Sequence, residues 1–494
     1  MERLVFGGDG TSQVAQLSNM ANRHGLIAGA TGTGKTVTLQ VLAEAFSRAG
    51  VPVFAADVKG DLSGVSVSGK PHKEIDRRKT LIGLPDHTLR GYPTMFWDIF
   101  SENGHPVRTT ISEMGPNILA ALLDLNDTQT GILYACFAIA DDEGMLLLDL
   151  KDLRSLLAWM SENAKALRQE YGNISSASVG AIQRRLLVLE EQGGERFFGE
   201  PAIQLRDLMQ KDFSGNGVIS LLDSERLLRE SPKLYAAFLL WLLSELFEEL
   251  PEAGDADRPK IVLFFDEAHL LFKDMPKALL DKVEQVFRLI RSKAVGVYLV
   301  TQNPMDVPEN VLGQLGFKVQ HALRAFTPKD QRQLKGVAAG FRNDNGVDVF
   351  STLTTLGVGE ALVSVLDEEG APTSVVAATI APPESRIGPI DENERAEKLA
   401  SSPMAGRYDT AVDRESAYEM LQARAEEAAR QTEARERAEA EAKEKARAEK
   451  AAAPKKRRSN RQSAGEAFLK STLRSLGRSL GTRIARGLLG SLLK

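Results

Sequence analysis

Apolar runs alternate with helical spacings over the first 60 residues. Residues 24–29 form an apolar run that ends in glycine, and residues 51–60 form a second run. Between them, residues 35–50 place apolar side chains three and four positions apart, the spacing of an amphipathic helix. A strand–loop–helix–strand order is typical of parallel strands joined by a helical crossover. We therefore expect an α/β fold with a doubly wound, mostly parallel sheet.

The pattern then changes to helices in series and afterwards returns to strands. Helical spacing dominates residues 111–250, which we interpret as a mainly helical insertion or subdomain with a strand-like stretch at 217–223. Residues 1–110 and 251–390 then form the two parts of the core. The later strands are predicted at 260–269, 295–303, 318–326 and 359–367. Five consecutive apolar residues, Ile261 to Phe265, indicate a central strand buried on both faces.

The globular pattern weakens after about residue 381. Residues 381–391 are rich in proline and predict a linker, and residues 391–463 predict a charged helical linker that includes a basic run at 455–461. Residues 464–494 form a basic amphipathic tail with its apolar side chains three or four positions apart. In that tail Lys470, Arg474 and Arg478 form a basic face opposite the stripe of Leu469, Leu473, Leu476, Leu480, Ile484 and Leu488.

Composition and the absence of targeting signals indicate where the protein is expected to work. The 494 residues carry a net charge of −5 and one cysteine, Cys136, which cannot form an internal disulfide and is expected to be a small core residue. No signal peptide or apolar stretch long enough to span a membrane is apparent, so we expect a cytoplasmic protein, with the tail as a candidate for peripheral membrane contact.

The loop between the first strand and helix is built to bind phosphate. Gly29, Gly34, Lys35 and Thr36 fit the G-x-x-x-x-G-K-[ST] pattern in the strand–helix context that the pattern requires. Backbone N–H groups and the helix dipole favour phosphate, the lysine adds a positive charge, and the threonine hydroxyl can ligate Mg²⁺. A chance glycine-rich turn is the alternative. The predicted nucleotide-binding residues are Gly29, Ala30, Thr31, Gly32, Thr33, Gly34, Lys35, Thr36 and Val37.

An acid pair follows the buried strand at 260–269. Asp266 is predicted to hold Mg²⁺ together with Thr36, and Glu267 to polarise the attacking water. An aspartate that caps a following helix is the alternative interpretation. The adjacent glutamate favours water as the phosphoryl acceptor over a small-molecule hydroxyl.

Other polar residues have predicted roles around this site. Gln302, which follows Thr301 at the end of the next strand, is a candidate sensor of the γ-phosphate or a turn residue. Arg288 and Arg291 share one helical face and are candidates to neutralise transition-state charge on a neighbouring subunit's nucleotide, or are surface ion-pair residues. Arg324 is a further candidate.

A polar segment also ends the second strand. Asp57, Lys59 and Asp61 are expected beside the phosphate loop, where they act near the nucleotide or in signalling between subunits, or cap local turns.

Together these motifs resemble the HerA/FtsK branch of RecA-like ATPases, and within it a bacterial HerA-like family, the YjgR type. The resemblance rests on residues 22–64 and on "FFDEAHLLF" at 264–272, and it extends over about residues 1–390. It implies a RecA-like core, ATP and Mg²⁺ at subunit interfaces, a ring that is probably hexameric, and catalytic roles for Lys35, Glu267, Gln302 and Arg291. Only about 25 residues precede the phosphate loop, fewer than the nuclease-docking barrel of HerA helicases needs.

Two functions remain open from the sequence. One is a ring-forming ATPase motor that translocates on or unwinds DNA. The other is a nucleotide-driven switch or assembly ATPase that acts on a protein partner or an anionic membrane surface through residues 464–494. A guanine-specific switch is disfavoured because no Asn-Lys-x-Asp motif follows the predicted sensor strand.

Overall fold

The computed structural model describes residues 2–254, 256–273, 277–325 and 327–452. The strands are β1 (Arg3–Gly8), β2 (Gln13–Leu17), β3 (Gly25–Ala28), β4 (Val53–Asp57), β5 (Thr94–Asp98), β6 (His105–Pro106), β7 (Ile219–Asp223), β8 (Ile261–Phe265), β9 (Val295–Thr301), β10 (Phe317–His321), β11 (Glu360–Ser364) and β12 (Val376–Ile380). The helices are α1 (Lys35–Arg48), α2 (Lys73–Ile82), α3 (Ile111–Leu122), α4 (Asp127–Asp142), α5 (Leu150–Glu162), α6 (Ala164–Tyr171), α7 (Ser176–Leu189), α8 (Glu195–Phe197), α9 (Leu205–Leu208), α10 (Glu225–Glu230), α11 (Pro232–Glu249), α12 (Lys277–Leu289), α13 (Glu309–Leu312), α14 (Pro328–Ala339), α15 (Val349–Thr355), α16 (Glu392–Ala400) and α17 (Ala417–Ala452).

All of these strands form one sheet in the described part of the chain, in the order β2-β1-β12-β11-β10-β3-β9-β8-β4-β7-β5-β6. Neighbours from β10 to β6 are parallel. The strands β11, β12, β1 and β2 extend the sheet as antiparallel neighbours. The predicted α/β class with a mostly parallel sheet is thereby confirmed.

Apolar packing on both faces explains why the central strands read as continuous apolar runs. Every residue of β8 is buried. Leu39, Leu42 and Phe46 of α1 pack against one face of the sheet. The other face is covered by α11 and by helices α3 to α9, a group that includes buried Cys136, as expected of a core residue. Because helices cover both faces, β3, β8 and β9 expose only their ends, and these ends position the site.

The helical stretch between residues 111 and 250 contributes one strand to the main sheet. β7 pairs in parallel with β4 and with β5, which places Asp223 level with Asp57 and Asp98. The hairpin of β1 and β2, and strands β5, β6 and β12, were not predicted. No helix among the described residues is long and apolar enough to cross a membrane.

Residues 381–390, which we call the strap, are packed against α1 rather than forming the predicted linker. Residues 381–385 are buried. The physical reason lies on α1: the Glu44 carboxylate accepts the backbone N–H groups of Glu384 at 2.9 Å and Ser385 at 3.0 Å. Buried backbone groups of the strap therefore find partners on the helix that follows the phosphate loop.

The chain divides into two compact units, Met1–Ala423 and Arg424–Lys494. Tyr408 and Leu421 are buried in the first unit, so its packing continues beyond the strap. In the second unit, residues 424–448 of α17 are exposed and carry i,i+4 ion pairs such as Arg430 with Glu426, as expected of a solvated helix. The predicted basic run at 455–461 and the tail at 464–494 lie outside the described residues.

Candidate active site

The site lies where β10, β3, β9 and β8 end on the same edge of the sheet. β3 precedes the glycine-rich loop, and β8 precedes the acid pair. One strand, β9, separates them, with Thr301 level with Ala28. Gln302, which directly follows β9, is therefore held between the glycine-rich loop and the acid pair.

Hydrogen bonds to both neighbouring strands fix the glycine-rich loop. The Gly29 N–H donates to the Thr301 carbonyl at 3.3 Å, and the Ala30 N–H donates to the Ala322 carbonyl at 2.9 Å. Gly29 also has no room for a side chain, since a Cβ there would lie 2.5 Å from the Cβ of His321. Gly34, with φ of +114°, turns the chain into α1. The loop is thus anchored to both sides before the helix begins.

Lys35 is buried at the first position of α1. Its Nζ donates to the carbonyls of Gly29 at 2.7 Å and Ala30 at 3.1 Å. Burial is the largest cause that lowers its pKa, and Lys59 adds to that shift. The first-turn amides of α1 have no acceptor within the helix, and the helix dipole favours an anion there. These amides and the buried ammonium therefore favour an anionic ligand at this edge of the sheet.

Thr36 and Asp266 offer oxygens that suit a magnesium ion. Asp266 is 9% exposed, and its Oδ1 accepts the Glu267 N–H at 2.9 Å. Burial raises the pKa of Asp266 to about 6, while Lys59 opposes the shift, so a cation beside this carboxylate would relieve the cost of burying its charge. In the described residues no cluster of three or more His, Cys, Asp and Glu could hold a metal alone. One carboxylate and one hydroxyl match Mg²⁺, which takes its remaining ligands from phosphate and water.

Glu267 has the geometry of a residue that could orient water. Its backbone is left-handed, with φ of +48°. Its Oε1 accepts from the Gln302 Nε2 at 3.3 Å and lies 3.9 Å from the Lys59 Nζ. Its Oε2 is buried and accepts no hydrogen bond from the described residues, although the Nδ1 of His269 lies 3.4 Å away. This oxygen has lone pairs available for a water molecule.

Gln302 connects the two halves of the site. Its Nε2 donates to Glu267, and its Oε1 accepts from the Thr31 hydroxyl at 3.5 Å, at the limit of a hydrogen bond. The contacts of one side chain thus run from the glycine-rich loop to the acid. Because Gln302 contacts both Thr31 and Glu267, it is positioned to respond to a ligand bound between the loop and the acid.

The segment after β4 reaches the site by a route that differs from the prediction. β4 is not beside β3, because β8 and β9 lie between them. The Leu62 N–H donates to the Asp57 Oδ2 at 3.0 Å and closes a turn that brings Lys59 to Glu267. Burial raises the pKa of Asp57 to about 7 and also raises the pKa of Asp61, which a hydrogen bond from Thr36 opposes.

Two of the candidate arginines, Arg288 and Arg291, do not join the site of their own chain. Arg288 and Arg291 are exposed and precede β9, whereas Gln302 follows it. Seven strand residues span about 23 Å, so any action of these arginines on a nucleotide requires a neighbouring chain. Arg324 is on the correct edge, just after β10, and donates to the Thr354 carbonyl at 3.3 Å.

Sequence reasoning missed a buried contact chain under the loop. The Thr38 hydroxyl of α1 lies 2.8 Å from the Nε2 of His321, whose Nδ1 lies 2.9 Å from the Glu360 carbonyl. The carbonyl requires an N–H at Nδ1, so Nε2 accepts from the hydroxyl. Burial lowers the pKa of His321 to about 4, which keeps the ring neutral. The only sequence signal was a histidine within a predicted strand.

A glycine-rich loop between a buried parallel strand and a helix, with an acid pair two strands away, is the arrangement typical of P-loop nucleotide-binding proteins. The chain belongs to the family described as helicase HerA-like C-terminal, whose model matches residues 2–494. The family resemblance seen in the sequence is confirmed.

Solved structures that resemble this chain do so at low sequence identity. The bacterial conjugative coupling protein TrwB, lacking its first 70 residues and unbound, is 15% identical with a TM-score of 0.48, over 75% of this chain and 86% of that one. TrwB in complex with ADP and Mg²⁺ is 16% identical with a TM-score of 0.46, over 77% and 94%. VirB4 of Thermoanaerobacter pseudethanolicus is 17% identical with a TM-score of 0.49, over 76% and 96%. No curated protein sequence matches the chain.

Proposed function

We propose that the chain binds ATP with Mg²⁺ at this edge of the sheet and hydrolyses it: water attacks the γ-phosphorus, the bond to the β-phosphate breaks, and ADP and phosphate leave. The observation that carries the proposal is the contact of Gln302 with both Thr31 and Glu267. Gln302 joins the phosphate loop to the Glu267 carboxylate, whose buried Oε2 can accept a hydrogen bond from water. This arrangement suits attack of water on a bound phosphate. ATP is preferred to GTP because the sequence lacks an Asn-Lys-x-Asp guanine reader after β9.

Each residue then has a defined task in hydrolysis. Residues 29–37 hold the phosphates through backbone N–H groups, and the Lys35 ammonium exchanges its two loop carbonyls for phosphate oxygens. Thr36 and Asp266 would hold the magnesium ion, which neutralises phosphate charge when bound. The Glu267 carboxylate accepts a proton from the attacking water, and Gln302 keeps that carboxylate aligned.

We further propose that the chain works as a homo-oligomeric ring, as a hexamer, that moves on DNA. Membership of a helicase HerA-like family supports a DNA motor. Exposed Arg288 and Arg291 on the opposite edge of the sheet support a ring, since each can serve only a nucleotide held by a neighbour. A cytoplasmic location stays a prediction from the sequence.

A nucleotide-driven switch is the second candidate, favoured by one observation. Residues 467–494 contain six basic residues and no acidic one, with leucines spaced for one helical stripe. Such a segment suits an anionic membrane surface or an apolar groove of a protein partner.

ATP turnover with and without DNA separates the two candidates. Turnover that rises strongly with duplex or single-stranded DNA, and loses this stimulation as salt increases, supports the motor. Turnover indifferent to DNA, combined with binding to anionic vesicles that disappears when residues 464–494 are deleted, supports the switch. Absence of ATP turnover in both settings contradicts the enzymatic proposal itself.

A further inference from the structure

A cavity of about 510 Å³ opens directly beside the start of α1. Gly34 and Val37 form the wall nearest the phosphate loop, Ile75 and Arg78 of α2 form a second wall, and strap residues around Ile387 form a third. Its volume is within the roughly 300–1,000 Å³ of small-molecule sites. The proposed ATPase does not otherwise use this cavity.

The cavity is continuous with the phosphate loop, which limits what it can hold. Gly34 belongs both to the loop and to the cavity wall. The Gly359 N–H donates to the Thr33 carbonyl at 2.9 Å, so the neighbouring segment of the wall is tied to the same loop. A triphosphate held at residues 29–36 carries its nucleoside on a covalent link. A nucleoside that extends from these phosphates toward α2 and the strap would enter this cavity.

The chemistry of the walls suits the flat face of a base. Val358 and Ile387 are 70% and 60% exposed, unusual for large apolar side chains, and both line this cavity. His72 adds an aromatic ring, which is oriented because its Nδ1 accepts the Glu74 N–H at 3.2 Å. Apolar walls with a few polar groups are typical of sites that bind aromatic ligands. An aromatic base would cover apolar surface that otherwise contacts water.

Charged networks hold the walls of the cavity in place. The strap is anchored at Glu384, whose carboxylate accepts from Arg48 at 2.6 Å and Arg90 at 2.8 Å. The wall at α2 is fixed by Arg78, which donates to the carbonyls of Val358 at 2.9 Å and Gly359 at 3.1 Å. Rigid walls reduce the entropy lost when a ligand is immobilised.

We propose that the cavity between α2 and the strap holds the nucleoside half of the nucleotide, with the base packed against Val37, Ile75 and Ile387. The proposal rests on the proposed function, because the phosphates must bind at residues 29–36. Since the walls contact the face of the base rather than read its edge, the site takes a purine nucleoside mainly by packing. The strap thereby belongs to the binding site and is not a linker.

Binding of ATP and of inorganic tripolyphosphate to the wild-type chain tests the proposal without any substitution. Calorimetry should give tighter binding of ATP by about tenfold or more, equivalent to about 1.4 kcal/mol. Equal affinities would overturn the cavity assignment but leave phosphate binding intact. If neither ATP nor tripolyphosphate binds, the result contradicts the proposed function, that is, phosphate binding at residues 29–36. The two failures are thus distinguishable.

A matched pair of variants and a crosslinking measurement locate the contact. Ile387→Glu places a charge at the cavity and should weaken ATP binding by about tenfold, with tripolyphosphate binding unchanged. Val188→Glu is the control, since Val188 is 56% exposed on α7 and lies in the helical group rather than in the cavity wall. Equal ATP affinities for both variants would overturn the proposal.

Photo-crosslinking of 8-azido-ATP to the wild-type chain gives a readout that does not depend on variants folding. The label should appear in peptides from residues 70–82 or 381–390. Label found only elsewhere in the chain would contradict the assignment.

Discussion

Two alanine substitutions in the glycine-rich loop provide a sharp test of its geometry. A Cβ at Gly29 would lie 2.5 Å from the Cβ of His321 and 2.9 Å from the Oγ1 of Thr33, with φ of +153°. A Cβ at Gly32 meets no described atom within 4 Å, with φ of +76°. The His321 ring cannot move aside easily, because Thr38 and the Glu360 carbonyl hold it from two sides. Gly29→Ala therefore combines backbone strain with a collision, whereas Gly32→Ala brings strain alone.

The expected magnitudes follow from those distances. A positive φ costs a non-glycine residue about 1–2 kcal/mol, and forcing an extra methyl group into a packed site costs about 1–3 kcal/mol more. Gly29→Ala should thus destabilise the chain by about 2–5 kcal/mol and Gly32→Ala by about 1–2 kcal/mol. Thermal unfolding without nucleotide measures the stability of both variants. Gly29→Ala should unfold at a temperature a few degrees lower than Gly32→Ala. Equal unfolding temperatures for the two variants would refute the packing of the loop against His321.

Three further predictions concern the site and the assembly. Gln302→Ala should keep ATP binding within about threefold but lower turnover by roughly 10–100-fold, since it removes the alignment of Glu267; turnover unchanged from wild type would contradict that role. Burial lowers the pKa of His321 in the folded chain to about 4, below its usual 6.5. The contribution of the neutral ring to the free energy of unfolding is therefore complete above pH 6.5 and is lost as pH falls toward 4, by about 3 kcal/mol at most. His321→Asn should therefore show a smaller fall in unfolding temperature than wild type between pH 7 and pH 4.5, and parallel curves would count against burial of a neutral ring. Mixing Arg291→Ala chains into wild-type chains should lower turnover more than dilution does, whereas a linear dependence on the wild-type fraction would remove the arginine from a shared site.

Local patterns made the centre of the fold predictable. β3, β8 and β9 are buried on both faces, and such strands appear in a sequence as continuous apolar runs. The edges gave weaker signals, because β6 has only two residues, His105–Pro106, and β2 alternates partly buried with buried positions. The place of β7 between β4 and β5 depends on pairing between distant segments, which apolar spacing does not encode.

The same distinction applies to the site. The glycine-rich loop and the acid pair are each contiguous in the chain, so their residue types are recognisable in the sequence. The strap resembles a linker because it is rich in proline, and only its partners on α1, Glu44 above all, explain why Glu384 and Ser385 are buried. The contact of His321 with Thr38 joins residues 283 positions apart, so no local sequence pattern predicts it.

The most direct test of the central claim is ATP turnover measured together with ATP binding for wild type, Glu267→Gln and Lys35→Ala. The account predicts that wild type binds and hydrolyses ATP. Glu267→Gln should bind ATP with similar affinity but hydrolyse it at least about 100-fold more slowly, because the proton acceptor is lost. Lys35→Ala should lose most of the binding. Full turnover by Glu267→Gln, or unchanged ATP binding by Lys35→Ala, would contradict the assignment of this edge of the sheet as the site of hydrolysis.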